Sequence, residues 1–174
     1  MFIGGPWYLK GVDVLINAFK IFSRVHPEYA LKIYGFSDNK HYFEKQINGF
    51  NNIELHGPIL YKQVISMMSK CSIFVLPSRT EAMGCVMIEA MASKKPVIAS
   101  NIDGIPSYLI DGYNGLLFQS EDIHGLANKM IYLADNKDYA LKLSENAYDY
   151  VHNSISESKY MDEFNRMIIN ILNE

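Results

Sequence analysis

Two glutamates, Glu81 and Glu89, stand eight residues apart in the segment PSRTEAMGCVMIEAMASKKPVIAS, with Gly84 between them. On a continuous helical path that spacing is a rise of roughly 12 Å and a rotation almost back to the same side. Two carboxylates so placed would flank one elongated, hydroxyl-rich ligand. Between them, the N–H groups near Met83, Gly84, Cys85 and Val86 fall at a predicted helix start, where unpaired backbone donors and the helix dipole together favour a diphosphate. Taken singly, Glu81 also reads as a helix cap and Glu89 as a solvated surface residue. A second segment, IGGPWYLKGVD, follows the first apolar run. Gly4 and Gly5 allow close backbone approach to a ligand and Lys10 adds a charge at a helix start, which is a phosphate cradle in kind or simply a tight turn. The pattern GxGxxG is absent and so are GKS and GKT, which excludes the dinucleotide fingerprint and the P-loop.

Other chemistries find little support. Cys71 and Cys85 lie in apolar stretches without CxxC spacing and read as small buried hydrophobes rather than as a disulfide or a metal site. The five histidines lack ligand spacing, so neither a metal nor a cofactor is expected. Net charge is −3, unevenly spread: residues 1–100 hold eleven Lys/Arg against seven Asp/Glu, residues 101–174 five against twelve. A basic first part suits an anionic ligand, yet Lys94-Lys95 is its longest basic run, so nucleic-acid binding is disfavoured. Trp7, Tyr8 and the other aromatics read as core and rim packing before a sugar platform. Met83, Met87 and Met91 read as one helix face packed on the sheet. No apolar run reaches the roughly 18 residues of a membrane helix, and the opening residues lack the regions of a signal peptide. A cytoplasmic protein is expected.

These residues need a scaffold, and the chain alternates in a way that supplies one. Short apolar runs at Phe2-Ile3, 30–34, 53–55, 73–76, 96–99 and 115–118 read as strands. Helical periodicity joins Val12, Leu15, Ile16, Phe19 and Phe22, then Val64, Ile65 and Met68, then Val86, Ile88 and Met91. Three more helices are expected around 122–135, 138–151 and 156–172. Near-continuous apolar strands alternating with helices predict an α/β fold, an open doubly wound parallel sheet of Rossmann-like type, in one domain spanning residues 1–174. Ligands in such a fold bind beyond the carboxyl ends of the strands, so the loops 4–11, 35–40, 57–61, 77–85 and 100–106 carry the expectation of a site.

The Glu-x7-Glu segment, with LKGVDVLINAF upstream and GIPSYLIDGYNGLLF downstream, resembles the C-terminal domain of group 1 glycosyltransferases, the family-four retaining enzymes of GT-B fold. The similarity runs in order from about Phe2 to Leu133. It implies transfer of a sugar from a nucleoside-diphosphate donor with retention at the anomeric carbon and without an essential metal. Glu89 is similar to the glutamate that accepts hydrogen bonds from the donor ribose, Glu81 to the one beside the donor sugar, and Lys10 to the lysine that neutralises the leaving diphosphate. Ile59 and Leu60, within GPILY, match the loop that receives the base through backbone groups. The family often has an arginine where this sequence has Gly5. Either Arg79 takes its place, or donor affinity leans on Lys10 and the helix N-terminus.

With only three residues before Gly4, fewer than the five to six of an average strand, the sequence is expected to be the donor half of a longer enzyme, inactive alone. Its implied partners are a nucleoside-diphosphate sugar and the missing N-terminal GT-B domain, with peripheral membrane association of the full-length enzyme left open. The stretch from about Ser154, with Tyr160, Phe164, Met167, Ile168 and Leu172, resembles the family's last helix. An epimerase or phosphorylase of the same fold, and a non-catalytic nucleotide-binding module, are the alternatives.

Overall fold

The computed structural model describes residues 1–37 and 39–155. The helix expected over 156–172 and its apolar residues Tyr160, Phe164, Met167, Ile168 and Leu172 lie outside the described residues. Among the described residues six strands form where the apolar runs are: β1 (Phe2–Gly4), β2 (Leu31–Gly35), β3 (Ile53–His56), β4 (Phe74–Leu76), β5 (Val97–Ser100) and β6 (Leu116–Phe118). All pairings among them are parallel, β1 on β2 on β3 and β4 on β5 on β6. The two groups meet along β1 and β4, where Val75 N–H donates to the Met1 carbonyl (3.0 Å) and the Met1 nitrogen to the Ile73 carbonyl (2.8 Å). The resulting order is 3-2-1-4-5-6, the doubly wound arrangement the alternation predicts.

Among the described residues six α-helices connect and cover these strands: α1 (Val12–Phe22), α2 (Lys40–Gln46), α3 (Tyr61–Ser69), α4 (Cys85–Ala92), α5 (Ile123–Asp135) and α6 (Lys137–Ser154). One set of helices packs as α2, α1 and α5, the other as α3, α4 and α6. The central strands are the most apolar: in β4 Phe74, Val75 and Leu76 are buried, as are Val97, Ile98 and Ala99 in β5. Helix α1 turns Val12, Leu15, Ile16, Phe19 and Phe22 into this core, the periodic set read from the sequence. Helix α2 was not expected. Phe43 is its one buried residue, so no apolar stripe marks it; its start is set by Asn39, whose side-chain oxygen accepts from the Tyr42 N–H at 3.2 Å.

Trp7 is core, as expected, with its ring edge-on to Phe43 at 5.4 Å. Met87 and Met91 are fully buried, but Met83 precedes the helix and is exposed, so the methionine face is two residues long rather than three. Cys71 is half-buried and Cys85 exposed, both as free thiols. The expectation of a buried Cys85 fails because it is the first residue of α4, where the side chain faces the open helix start.

Candidate functional site

The order 3-2-1-4-5-6 reverses direction once, between β1 and β4, so the loops leaving these two strands part toward opposite faces and open a crevice at their carboxyl ends. Loop 4–11 leaves β1 and loop 77–84 leaves β4. They are the two loops whose residue types suggested phosphate and sugar chemistry, and the fold sets them side by side. Gly11 has φ +64°, and a Cβ there would lie 1.9 Å from the Pro77 carbonyl oxygen, so only glycine permits this approach. The Arg79 N–H donates to the Leu9 carbonyl at 2.9 Å.

Across that seam Lys10 Nζ donates to Glu81 Oε2 at 2.7 Å, the two side chains being 22% and 13% exposed. Ser78 Oγ donates to the same oxygen at 3.3 Å. Glu81 Oε1 has no partner among the described residues and remains open to a hydroxyl. The backbone of Glu81 is held from the loop after β5: its N–H donates to Asp103 Oδ2 at 3.0 Å, and its carbonyl accepts from the Gly104 N–H at 3.2 Å.

Immediately beyond, α4 begins at Cys85 with Gly84 as its cap, in the left-handed region (φ 75°) and with no side-chain oxygen to offer. The Gly84 carbonyl accepts from Met87 and Ile88. Among the described residues no acceptor is found for the N–H groups of Met83, Gly84, Cys85 and Val86. Four successive unpaired donors at a helix start, beside a lysine ammonium, make a concentrated anion site.

Because α4 starts only at Cys85, the path from Glu81 to Glu89 is not one helix, and the rise of roughly 12 Å expected for a continuous one does not apply. Glu89 lies on the second turn of α4, half-buried. It has no hydrogen-bond or ion-pair partner among the described residues, and burial pushes its carboxyl pKa above the ordinary value. A desolvated carboxylate without a donor is poised to accept from a ligand. Ile59 and Leu60 precede α3, which packs beside α4. The Leu60 N–H is taken by Gln63 Oε1 at 3.0 Å, whereas the Ile59 N–H and carbonyl have no hydrogen-bond partner among the described residues.

Two residues behave differently from expectation. A Cβ at Gly5 would fall 2.8 Å from both the ring and the carbonyl oxygen of Phe36, so the space a side chain would need is already filled by the neighbouring loop. Arg79, one of the two alternatives for the missing phosphate-binding charge, has four of its five guanidinium N–H groups hydrogen-bonded and the fifth facing a carboxylate. Nη1 and Nη2 grip Asp13 at 2.7 Å each, Nε and Nη2 reach Glu121 at 2.5 and 3.0 Å, and Nη1 also donates to the Tyr8 carbonyl. Its plane covers the Tyr8 ring at 4.2 Å. Five donors are all that a guanidinium has, so in this structure none is directed to a ligand. Asp13, Ser78, Asp103 and Glu121 escaped the sequence reading. Asp13 sits inside the quoted LKGVD stretch and Asp103 in the loop 100–106, but their partners are remote in sequence.

A cavity of about 310 Å³ opens beside the site, lined by Pro6, Tyr8, Ser37, Asn39, Tyr42 and Phe43. A larger one, about 480 Å³, lies at the amino ends of the strands by Met1, Leu31 and Ile73 and touches none of the site residues. Among the described residues no cluster of His, Cys, Asp and Glu has the geometry of a metal site. No helix there is long and apolar enough to cross a membrane.

An uncharacterized glycosyltransferase of Methanocaldococcus jannaschii is 38% identical over 156 residues, which cover 86% of this chain and 42% of that protein. The chain thus spans less than half the length of this curated relative. Among solved structures, a mutant of Staphylococcus aureus TarM in complex with fondaparinux, α-GlcNAc-glycerol and UDP superimposes with a TM-score of 0.86 at 26% identity, over 95% of this chain and 34% of that one. The C-terminal domain of a group 1 glycosyl transferase from Francisella tularensis shares the fold, with a TM-score of 0.79 at 23% identity over 90% of this chain and 84% of that one. The model of one family, Glycosyl transferases group 1, matches residues 2–150. A match of that extent takes in both loops of the crevice and the sheet that sets them together, and the chain belongs to the group 1 glycosyl transferases.

Proposed function

We propose that this chain is the C-terminal, donor-binding half of a retaining GT-B glycosyltransferase, and that the crevice between β1 and β4 holds a nucleoside-diphosphate sugar without a metal ion. The observation that carries this reading is the convergence, from loops 71 residues apart, of Lys10 and Glu81 beside four unpaired N–H groups at the start of α4. The diphosphate lies on those N–H groups with Lys10 collecting the charge that develops on the leaving group, a task met elsewhere by a divalent cation. Arg79 being fully engaged, affinity rests on Lys10 and the helix start. The free Oε1 of Glu81 takes sugar hydroxyls, and its charge favours positive character at the anomeric carbon. Glu89 accepts from the ribose, and the loop at Ile59 receives the base. Support comes from the UDP in the TarM complex and from the Francisella domain, which matches most of this chain as a C-terminal domain.

Half a cleft cannot orient an acceptor, so the chain alone should bind nucleotide and transfer nothing. Calorimetric titration with UDP, GDP and ADP in excess EDTA tests the site: one of the three should bind preferentially, with its affinity unchanged when Mg²⁺ is added. Binding that returns only with metal, or equal indifference to all three, would overturn the reading. Sugar transfer by the chain alone would overturn its half-site part.

A further inference from the structure

We propose that Arg79 is a positioning residue, which sets the reach of Lys10 toward the diphosphate without touching the ligand itself. The proposal rests on the donor-site reading above. Arg79 is the point where three separate segments meet: Asp13 belongs to the first turn of α1, Glu121 to the turn before α5, and the Tyr8 carbonyl to the loop after β1. The guanidinium meets Asp13 with two parallel bonds and Glu121 with one more, its Nε lying against the second Glu121 oxygen, a geometry that an ammonium cannot reproduce. The backbone N–H of Arg79, which any residue there would keep, holds the Leu9 carbonyl, so the side chain's own contribution is at Tyr8. The backbone on the amino side of Lys10 is therefore pinned at Tyr8 and Leu9. On the other side Gly11 lies flush against Pro77.

That bracing matters because Lys10 has a long, flexible stem. An ammonium on such a stem loses much rotamer freedom when it binds, and fixing its anchor reduces that loss. Lys10 also stands apart from the other cation. Arg79 is matched by two carboxylates within bonding distance, whereas among the described residues Lys10 faces only Glu81 and the Thr80 carbonyl (3.5 Å). The positive charge available to an incoming phosphate is thus Lys10's, and its placement is Arg79's contribution.

The test is a double-mutant cycle on nucleotide affinity in this chain, with Arg79→Lys and Lys10→Ala. Arg79→Lys keeps the charge, so long-range attraction is unaltered and only the fork geometry is lost. Arg79→Lys should weaken UDP about five- to tenfold while leaving uridine, which has no phosphate, unchanged. In the Lys10→Ala background the same substitution should have no further effect, because the route by which Arg79 acts is gone. Additive losses would show that Arg79 contacts phosphate itself, and an unchanged UDP affinity would show that it positions nothing; either overturns the proposal. Equal loss of UDP and uridine would reduce Arg79 to a scaffold residue and overturn it too. Should Arg79→Lys fail to fold, Glu121→Gln removes the more exposed of the two carboxylate partners and is read through the same cycle. A wild-type chain that binds no nucleotide would refute the donor-site reading instead, so the two failures are distinct.

Discussion

Glu89 offers the sharpest quantitative test of the donor site, because its carboxylate is half-buried, lacks a partner among the described residues and is pushed up in pKa by that burial. A charged acceptor facing a ribose diol makes charge-assisted hydrogen bonds, and removing such an acceptor costs about 1.5–3 kcal/mol. Glu89→Ala should therefore weaken UDP about ten- to a hundredfold. Glu89→Gln keeps one neutral acceptor oxygen and should weaken it less, about three- to tenfold, in line with the lower strength of neutral bonds. The pH dependence has a definite sign. Ribose hydroxyls bind the charged form, so wild-type affinity should fall as pH drops toward and through the raised Glu89 pKa, and Glu89→Gln should flatten that part of the profile. Stability runs the other way. The folded pKa exceeds the unfolded one, so between the ordinary value of 4.5 and the raised value the native state holds the extra proton, and stability falls as pH rises through that window. At neutral pH Glu89→Gln should leave the ligand-free chain as stable as before, or slightly more stable. Calorimetry with UDP from pH 5 to 8, paired with thermal melts of the ligand-free chain, measures both. Equal UDP affinity in wild type and Glu89→Ala, or identical pH profiles for wild type and Glu89→Gln, would refute the ribose assignment.

Glu81→Gln should behave in the opposite way toward bare nucleotide: it releases Lys10 from a 2.7 Å bridge, and since partly exposed ion pairs are worth about 0–1 kcal/mol, UDP should bind equally well or up to about fivefold more tightly. A tenfold loss in the same titration would contradict the sugar assignment of Glu81; in the full-length enzyme its loss should appear in kcat with the sugar donor. Gly11→Ala should destabilise the chain by about 2–4 kcal/mol, because a Cβ at left-handed φ is strained and the Pro77 carbonyl must move aside. A melting temperature within 1 °C of wild type would show that loops 4–11 and 77–84 are not locked as described.

What the sequence discloses depends on the distance over which each feature is determined. The six strands are legible because each is a short apolar run enclosed by helices, and α1 because its buried residues recur at helical spacing. Helix α2 is hidden because Phe43 alone reaches the core and Asn39 alone marks its start. Gly84 as a helix boundary is legible from local residue types, but the separation of Glu81 from Glu89 is not, because Glu81 lies in the loop before α4 and off its helical path. The pairing of Lys10 with Glu81 depends on the β1–β4 seam, which no window of the sequence contains. Arg79 shows the limit most clearly. Its residue type suits phosphate, but its actual partners come from α1 and from the turn before α5, and only the assembled fold shows that its donors are occupied.

The bare cap of α4 has a further consequence. A helix that opens on glycine forgoes the side-chain oxygen that usually secures its first turn, a deficit of a few tenths of a kcal/mol against a good capping residue. If the diphosphate sits on those N–H groups, the substrate is itself the missing cap, and the first turn of α4 becomes as firm as the nucleotide is abundant. Ligand at a hundred times its dissociation constant adds about 2.7 kcal/mol to a folded state that alone can bind it. A serine or asparagine placed at Gly84 would meet the left-handed backbone there and crowd Leu76, whose Cδ2 would lie 3.1 Å from the new Cβ. Any oxygen it did bring to the N–H groups would then compete, permanently and at a local concentration no solute can match, with the phosphate that the vacancy accommodates.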